Sequence, residues 1–342
     1  MPREGGMRAD PAAGPFAGLR ALFAGAGRRL EWRCPFATPG WIEAWWGAFG
    51  RGEPLILAPR RGGTLLGAAA LTVSGGTARP IGDPEVCDHF DVAAAPGSGA
   101  GLLEALRRDL RPRGVGILDL VRVRPDSIAA EELVPAARRL GWPVDFEPAD
   151  TAMELDLPAS WEAYLETLPA KPRHELKRKL RRLEGAGSFR LRRARTPEES
   201  ERALSEFLRL FRSGRPDKAR FMTPRMARFF AALAAELLRE ERLDLWALEV
   251  NGEAASVAFC FRHGRRVLLY NNAYDERFRP LSAGLLVKAL SIRESIAAGF
   301  AVYDFLRGRE RYKRHLGGRP VPLYRCRIAL PEEGPPKKEA EA

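Results

Sequence analysis

The sequence predicts an α+β protein of two similar halves, each a mixed β-sheet flanked by helices. Two observations predict it. Each half opens with apolar strand patterns joined by short Gly-rich turns, and each then carries a helix followed by one more apolar strand. Both halves therefore read β-β-β-α-β, which implies a duplicated fold although direct identity between them is slight.

In the first half, Thr38-Pro39-Gly40 opens a short helix that holds Trp41, Trp45, Trp46 and Phe49. Leu55–Ala58 and Leu65–Val73 read as strands joined at Gly62-Gly63, and Gly75-Gly76 turns into a short strand ending near Ile81. A helix over Leu102–Leu110 and a strand over Val115–Val121 follow. In the second half, Leu243–Val250 and Ala254–Phe261 flank Asn251-Gly252, a strong hairpin signal. His263-Gly264 turns into Val267–Tyr270. A helix over Ala283–Ala298 leads to a strand over Val302–Leu306. Residues 1–30, rich in Gly, Ala and Pro, read as a loose leader. The two domains are expected at 31–150 and 151–330, and 331–342 as a disordered tail.

Composition narrows the class. With 342 residues, 45% hydrophobic and 29% charged, the chain has enough apolar material for two compact domains. The mean hydropathy of −0.27 is that of a globular protein. No run approaches the ~18 apolar residues of a membrane span. No secretory signal is read at the start, and the four cysteines form no C-x-x-C pair, so a soluble cytoplasmic protein with free thiols is expected.

The net charge of +12 is concentrated in two places. Lys171–Arg195 carries a net +9 and Arg307–Arg319 a net +5, leaving the rest near −2. A GC-rich genome yields arginine-heavy chains, but two positive patches on a near-neutral body imply an anionic ligand. In the first patch, Leu176, Leu180 and Leu183 pack a helix beginning at His174 downwards. That leaves Lys177, Arg178, Arg181 and Arg182 outward, as a solvated face or a surface for phosphates of a nucleotide cofactor, a sugar nucleotide or a tRNA end.

Between strand and helix lies Arg279-Pro280-Leu281-Ser282-Ala283-Gly284-Leu285. Ser282 suits a helix N-cap, and Leu285, Ala289, Ile292 and Ile296 form an apolar stripe. The exposed amides of such a helix start suit a pyrophosphate, and Gly284 would let it approach the backbone. This turn resembles the Arg/Gln-x-x-Gly-x-Gly/Ala cofactor turn of GNAT acyl-CoA transferases, with Arg279 and Gly284 in register and Ser282 at the middle glycine.

A second likeness is more specific. Asp304-Phe305-Leu306-Arg307-Gly308-Arg309-Glu310-Arg311-Tyr312-Lys313 resembles the D-F-L-R-G-x-E-x-Y-K signature of the CelD-type GNAT family, related to the FemAB aminoacyl transferases. The helix Trp41–Phe49 and Asp88-His89-Phe90-Asp91 resemble its N-terminal half, so the likeness spans about residues 32–330. It implies two tandem GNAT-like domains, acyl transfer, and acetyl-CoA or another acyl-CoA as cosubstrate, held by Arg279, Leu281, Ser282, Ala283, Gly284 and Leu285. The expected acceptor is a small anionic or sugar-linked amine, with aminoacyl-tRNA as an alternative donor. A non-catalytic scaffold that binds a partner through its basic face is the third reading.

Acyl transfer to an amine needs a positioned thioester, an oxyanion donor and often a carboxylate base. The resemblance places the oxyanion donor on the backbone of Val267–Ala273. Asp304, a carboxylate in an apolar strand, is a candidate base, or else pairs with Arg307 or Arg309 to hold the loop. Asp275 is a base or a turn former, and Glu249 a weaker candidate. Tyr312 is a candidate donor to the leaving thiolate. Arg307, Glu310 and Lys313 are candidate substrate contacts, together with Lys177, Arg178 and Arg181. No P-loop, H-E-x-x-H, G-x-S-x-G or zinc-spaced Cys/His cluster occurs, so neither a metal nor a serine-hydrolase mechanism is expected.

Overall fold

The structure, a computed structural model, describes residues 14–25, 30–214 and 220–332. The chain divides into two compact units, one of Met1–Asp150 with Pro322–Ala342, the other of Thr151–Val321.

The first unit contains helices α1 (Ala17–Gly25), α2 (Pro39–Phe49), α3 (Gly99–Leu110) and α4 (Val134–Arg139). Its strands are β1 (Leu55–Leu57), β2 (Arg60–Arg61), β3 (Thr64–Leu65), β4 (Gly67–Ser74), β5 (Thr77–Pro80), β6 (Ala93–Ala94) and β7 (Ile117–Val123). The described part of the expected leader thus includes a helix, with Leu19 and Leu22 buried. β1 and β5 flank β4 antiparallel, and α3 carries the chain to β7, parallel to β5. On the other side of β7 lies the end of a strand the sequence did not reveal, β14 (Arg319–Ala329), antiparallel from Tyr324 to Ala329. Leu102, Leu106, Leu118, Leu120, Cys326 and Ile328 meet in the core. Asp88-His89-Phe90-Asp91 serves this core. Asp91 accepts from the amides of Ile128 (2.8 Å) and Ala129 (2.9 Å), and the His89 ring stands edge-on to Phe36.

In the second unit, β8 (Val144–Asp156) contributes its residues from Thr151 onward. Then come α5 (Trp161–Thr167), α6 (Ala170–Glu184), β9 (Phe189–Arg193), α7 (Pro197–Arg212) and α8 (Pro224–Arg239). A three-strand meander follows: β10 (Leu243–Val250), β11 (Glu253–His263) and β12 (Arg266–Tyr274). Last are α9 (Ala283–Ala297), β13 (Val302–Arg307) and the short α10 (Arg311–His315). The strand order is β9-β10-β11-β12-β13-β8, antiparallel except for the parallel pair β12/β13 that α9 connects. Asn251 (φ 50°) and Gly252 (φ 80°) make the two-residue turn their dipeptide predicts. α7 begins with a full capping box, Thr196 and Glu199 each bonding the other's backbone amide. α9 is buried almost all round rather than along one stripe, and forms the centre of the core with Leu269, Tyr303 and Phe305.

The two units repeat one plan: a hairpin, a helix, a parallel strand, and an antiparallel neighbour beyond it. The repeat reaches the residues, with Asp119-Leu-Val-Arg122 on β7 and Asp304-Phe-Leu-Arg307 on β13. Among the described residues no helix is long and apolar enough to cross a membrane, and all four cysteines are buried thiols outside any disulfide.

Candidate functional site

The feature that organises the second unit's site is a failure of pairing. β12 and β13 pair only from Arg266–Leu268 to Val302–Asp304, yet β12 runs on to Tyr274 and β13 to Arg307. The strands part beyond Leu268 and Asp304. Two irregularities accompany this. On β12, Phe259 faces Asn271 and Cys260 faces Leu269, which leaves Tyr270 as the extra residue of a bulge. On β13, Leu306 adopts a left-handed φ of 60°, and its amide donates to Asp304 Oδ1 at 2.7 Å. The Asp304 carboxylate, 1% exposed, therefore holds the kink that ends the pairing.

The D-F-L-R-G-R-E-R-Y-K segment closes on itself through Lys313. Its ammonium, on a residue 2% exposed, donates to the carbonyls of Leu306 (3.3 Å), Arg307 and Gly308 (3.4 Å), and pairs with Glu310 at 2.9 Å. Gly308, at φ 104°, lies so close to the Glu310 carboxylate that a Cβ there would be 2.5 Å from Oε2. Its amide donates to Thr151 O, and Arg309 donates to Thr151 Oγ1 at 2.6 Å. Asp304 and Lys313 thus fasten opposite ends of one loop, and Tyr312, next to Lys313 in the chain, lines the cleft described next.

That cleft, of about 680 Å³, lies between α6, the start of α9, and α10. Pro172, Leu176, Leu285 and Leu316 supply apolar wall, Ser282 and Tyr312 polar edges, and Lys171, Lys179 and Arg311 positive charge against Glu175. Glu175 pairs with Lys179 and, at 2.9 Å, with Arg178. Burial, then the nearby Arg311 and Lys179 cations, push His315 below its ordinary value, which favours the neutral ring.

The predicted turn delivers its residues unevenly. Ser282 and Leu285 line the cleft, and Ala283 is buried beside them. Ser282 occupies the N-cap position but at φ 61°, with no side-chain cap bond, so the expected hydroxyl cap is corrected to a backbone one: its carbonyl accepts from Leu285 and Leu286. The left-handed residue turns the hydroxyl away from the amides it would otherwise meet. Gly284 packs on an aromatic ring, since a Cβ would stand 2.8 Å from Tyr274 Cδ1. Leu281 is partly buried, whereas Arg279 is an exposed side chain (79%) near Glu276. Asp275 caps the 3-10 turn Glu276–Leu281, accepting from the Arg277 amide, and the Arg277 guanidinium holds its carboxyl below the usual range. Glu249 pairs with Arg192 and Arg202. Helix α6 starts at Ala170, one turn before the expected His174. Lys177, Arg178 and Arg181 are exposed on it outside the cleft, while Arg182 donates to Pro280 O at 2.9 Å.

Two residues that sequence reasoning passed over stand where the strands part. Lys288, buried in α9, places Nζ 3.0 Å from Asn272 Oδ1 on β12 and 4.0 Å from the centre of the Tyr312 ring. The available signal was a charge on the buried side of a helix, three residues after Leu285 and four before Ile292.

Residues 170–314 match the acetyltransferase (GNAT) domain. Solved structures are similar to most of the chain at the level of fold. FemX is similar at 12% identity (TM-score 0.60), covering 86% of this chain and 93% of its own. A conserved Bacteroides thetaiotaomicron protein of unknown function shares 10% identity (TM-score 0.60), covering 91% and 97%. The C-terminal DUF2156 domain of an Agrobacterium fabrum protein named for lysylphosphatidylglycerol synthesis shares 10% (TM-score 0.56), covering 85% and 89%. No curated protein matches the chain. The mixed α+β GNAT fold of the sequence reading stands, and the finer CelD-type assignment rests on the signature alone.

Proposed function

We propose that the chain is an acyl-CoA-dependent N-acyltransferase acting on a small anionic or sugar-linked amine. The observation that carries this reading is the parting of β12 and β13 next to a basic, partly apolar cleft at the start of α9. A thioester lying between the strands would meet backbone groups of β12 that have lost their parallel partner. The phosphates of the donor suit Lys171, Lys179 and Arg311 with the Ala283 and Gly284 amides, which Ser282 does not take, and its apolar arm suits Leu176, Leu285 and Leu316. The amine nitrogen attacks the thioester carbon, the N–C bond forms and the C–S bond breaks. The thiolate then takes up a proton, for which Tyr312 is the proposed donor and the nitrogen's surplus proton the replacement. In this reading Asp304, Arg307, Glu310 and Lys313 shape the loop that presents Tyr312, and Asp275 shapes the turn before α9.

The test is a thermal-stability titration of the full chain with CoA and acetyl-CoA. At a free ligand concentration of ~100 times Kd, stabilisation of about 2.7 kcal/mol is expected. A melting curve unmoved by millimolar CoA and acyl-CoAs would remove the reading.

One observation favours a second donor. The exposed Lys177, Arg178 and Arg181 extend positive surface along α6 beyond the cleft, and FemX is a structural neighbour. If aminoacyl-tRNA is the donor, native mass spectrometry of the purified chain finds RNA that salt removes.

A further inference from the structure

We propose that Asn272 supplies a hydrogen bond to the acyl carbonyl oxygen, and that Lys288 is its positioning residue. The assignment rests on the acyl-donor reading above. An ammonium has only donors, so the atom of Asn272 that faces Lys288 at 3.0 Å is the amide oxygen. The Nδ2 group, with two N–H donors, is then the end turned away from Lys288. Asn272 lies four residues past Leu268, the last residue of β12 paired to β13, and so belongs to the stretch of strand that has parted from its neighbour. On its other side the Lys288 ammonium rests on the face of Tyr312, which lines the cleft. Asn272, Lys288 and Tyr312 thus link the cleft to the parted strands.

Packing alone gives no reason for a lysine here. Lys288 is 6% exposed, and Leu286, Val287, Ala289, Leu290 and Ile292 around it in α9 are all buried. An apolar side chain would fill the site without the desolvation cost of an ammonium. What the ammonium adds is direction: it fixes which end of the Asn272 amide faces a bound acyl group. As the C–N bond forms, negative charge gathers on the carbonyl oxygen, and a donor already aimed there needs no reorganisation. Loss of one such donor lowers turnover by roughly 100- to 1,000-fold. No proton leaves Asn272 at any step.

The experiment binds acetyl-CoA labelled with carbon-13 at the thioester carbonyl to the full chain, and records the carbonyl stretch by isotope-edited infrared difference, with Kd from calorimetry. In the unsubstituted protein the bound carbonyl should absorb at lower frequency than free acetyl-CoA. Asn272→Asp, which keeps the shape but offers no donor, and Asn272→Ala should both lose that shift while CoA itself still binds. Lys288→Met should broaden and weaken the shift, and Lys288→Arg, again a donor-only group, should restore it. A shift that persists in both Asn272 variants, or a Lys288→Met protein that is less stable with its carbonyl band unmoved, overturns the assignment. Tight binding with an unshifted carbonyl overturns it alone, whereas failure of acetyl-CoA to bind overturns the donor reading as well.

Discussion

Replacing Lys313 with methionine separates a structural from a substrate-binding role for the D-F-L-R-G-R-E-R-Y-K signature. Methionine matches the apolar stem, so no cavity opens and the perturbation is the loss of the ammonium. Three carbonyls, of Leu306, Arg307 and Gly308, lose a charged donor, and Glu310 loses its partner. Glu310 is exposed, so its loss costs little. Hydrogen bonds to charged groups contribute about 1.5–3 kcal/mol each, and water can reach the outer part of the loop, so a net loss of about 3 kcal/mol is expected. For a unit of this size that lowers Tm by roughly 6–12 °C. The assay is urea and thermal unfolding of the full chain, read as two transitions if the units unfold separately. Glu310→Gln should change stability by less than about 1 kcal/mol. A Lys313→Met protein of unaltered stability would refute the stapled-loop account and return Lys313 to the substrate.

Other consequences are as direct. Gly284→Ala drives a Cβ into the Tyr274 ring, so it should cost about 1–3 kcal/mol by overpacking and weaken CoA binding together with stability, measured by unfolding and calorimetry. Replacing Lys177, Arg178 and Arg181 with glutamine should leave stability nearly unchanged, because the side chains are exposed. If they meet RNA phosphates, each lost contact should lower the salt slope of binding by roughly 0.7–0.9; unchanged binding would show a solvated face. The neutral form of His315 is favoured in the folded chain, its folded pKa lying below the unfolded one. Its contribution to stability is thus present above the ordinary imidazole value and is lost as pH falls below that value through the lowered folded one. Protonation adds a charge to the cleft, so CoA affinity should rise on acidification, more in the unsubstituted protein than in His315→Gln. Equal pH profiles would exclude the imidazole.

Strands and turns whose signals are local were legible in the sequence. The Asn251-Gly252 hairpin formed because both φ values it requires suit that dipeptide, and Val302–Leu306 is apolar enough to read as a buried strand. β14 was not legible, since Arg319–Ala329 alternates Arg, Pro and apolar residues in a basic stretch. Its place beside β7 is set by residues some two hundred positions earlier. The kinship of Asp119-Leu-Val-Arg122 and Asp304-Phe-Leu-Arg307 shows only once both strands are seen in equivalent places. At the site, charge pattern located the basic helix, but depth was not readable. Lys313 looked like a presented cation and is enclosed, while Lys288, which the charge pattern did not single out, is buried where the strands part.

The chain returns to its first unit for β14, and this bears on how the protein is made. During synthesis the first hundred and fifty residues emerge with β7 as an unpaired edge, carrying Leu118 and Leu120, until the strand ending at Ala329 leaves the ribosome. An open apolar edge is a template for wrong partners, including the same edge on a neighbouring nascent chain. The first unit is complete only once residues beyond the end of the second have been made. A fragment cut after Asp150 would be short of a strand however well its own sequence suited the fold.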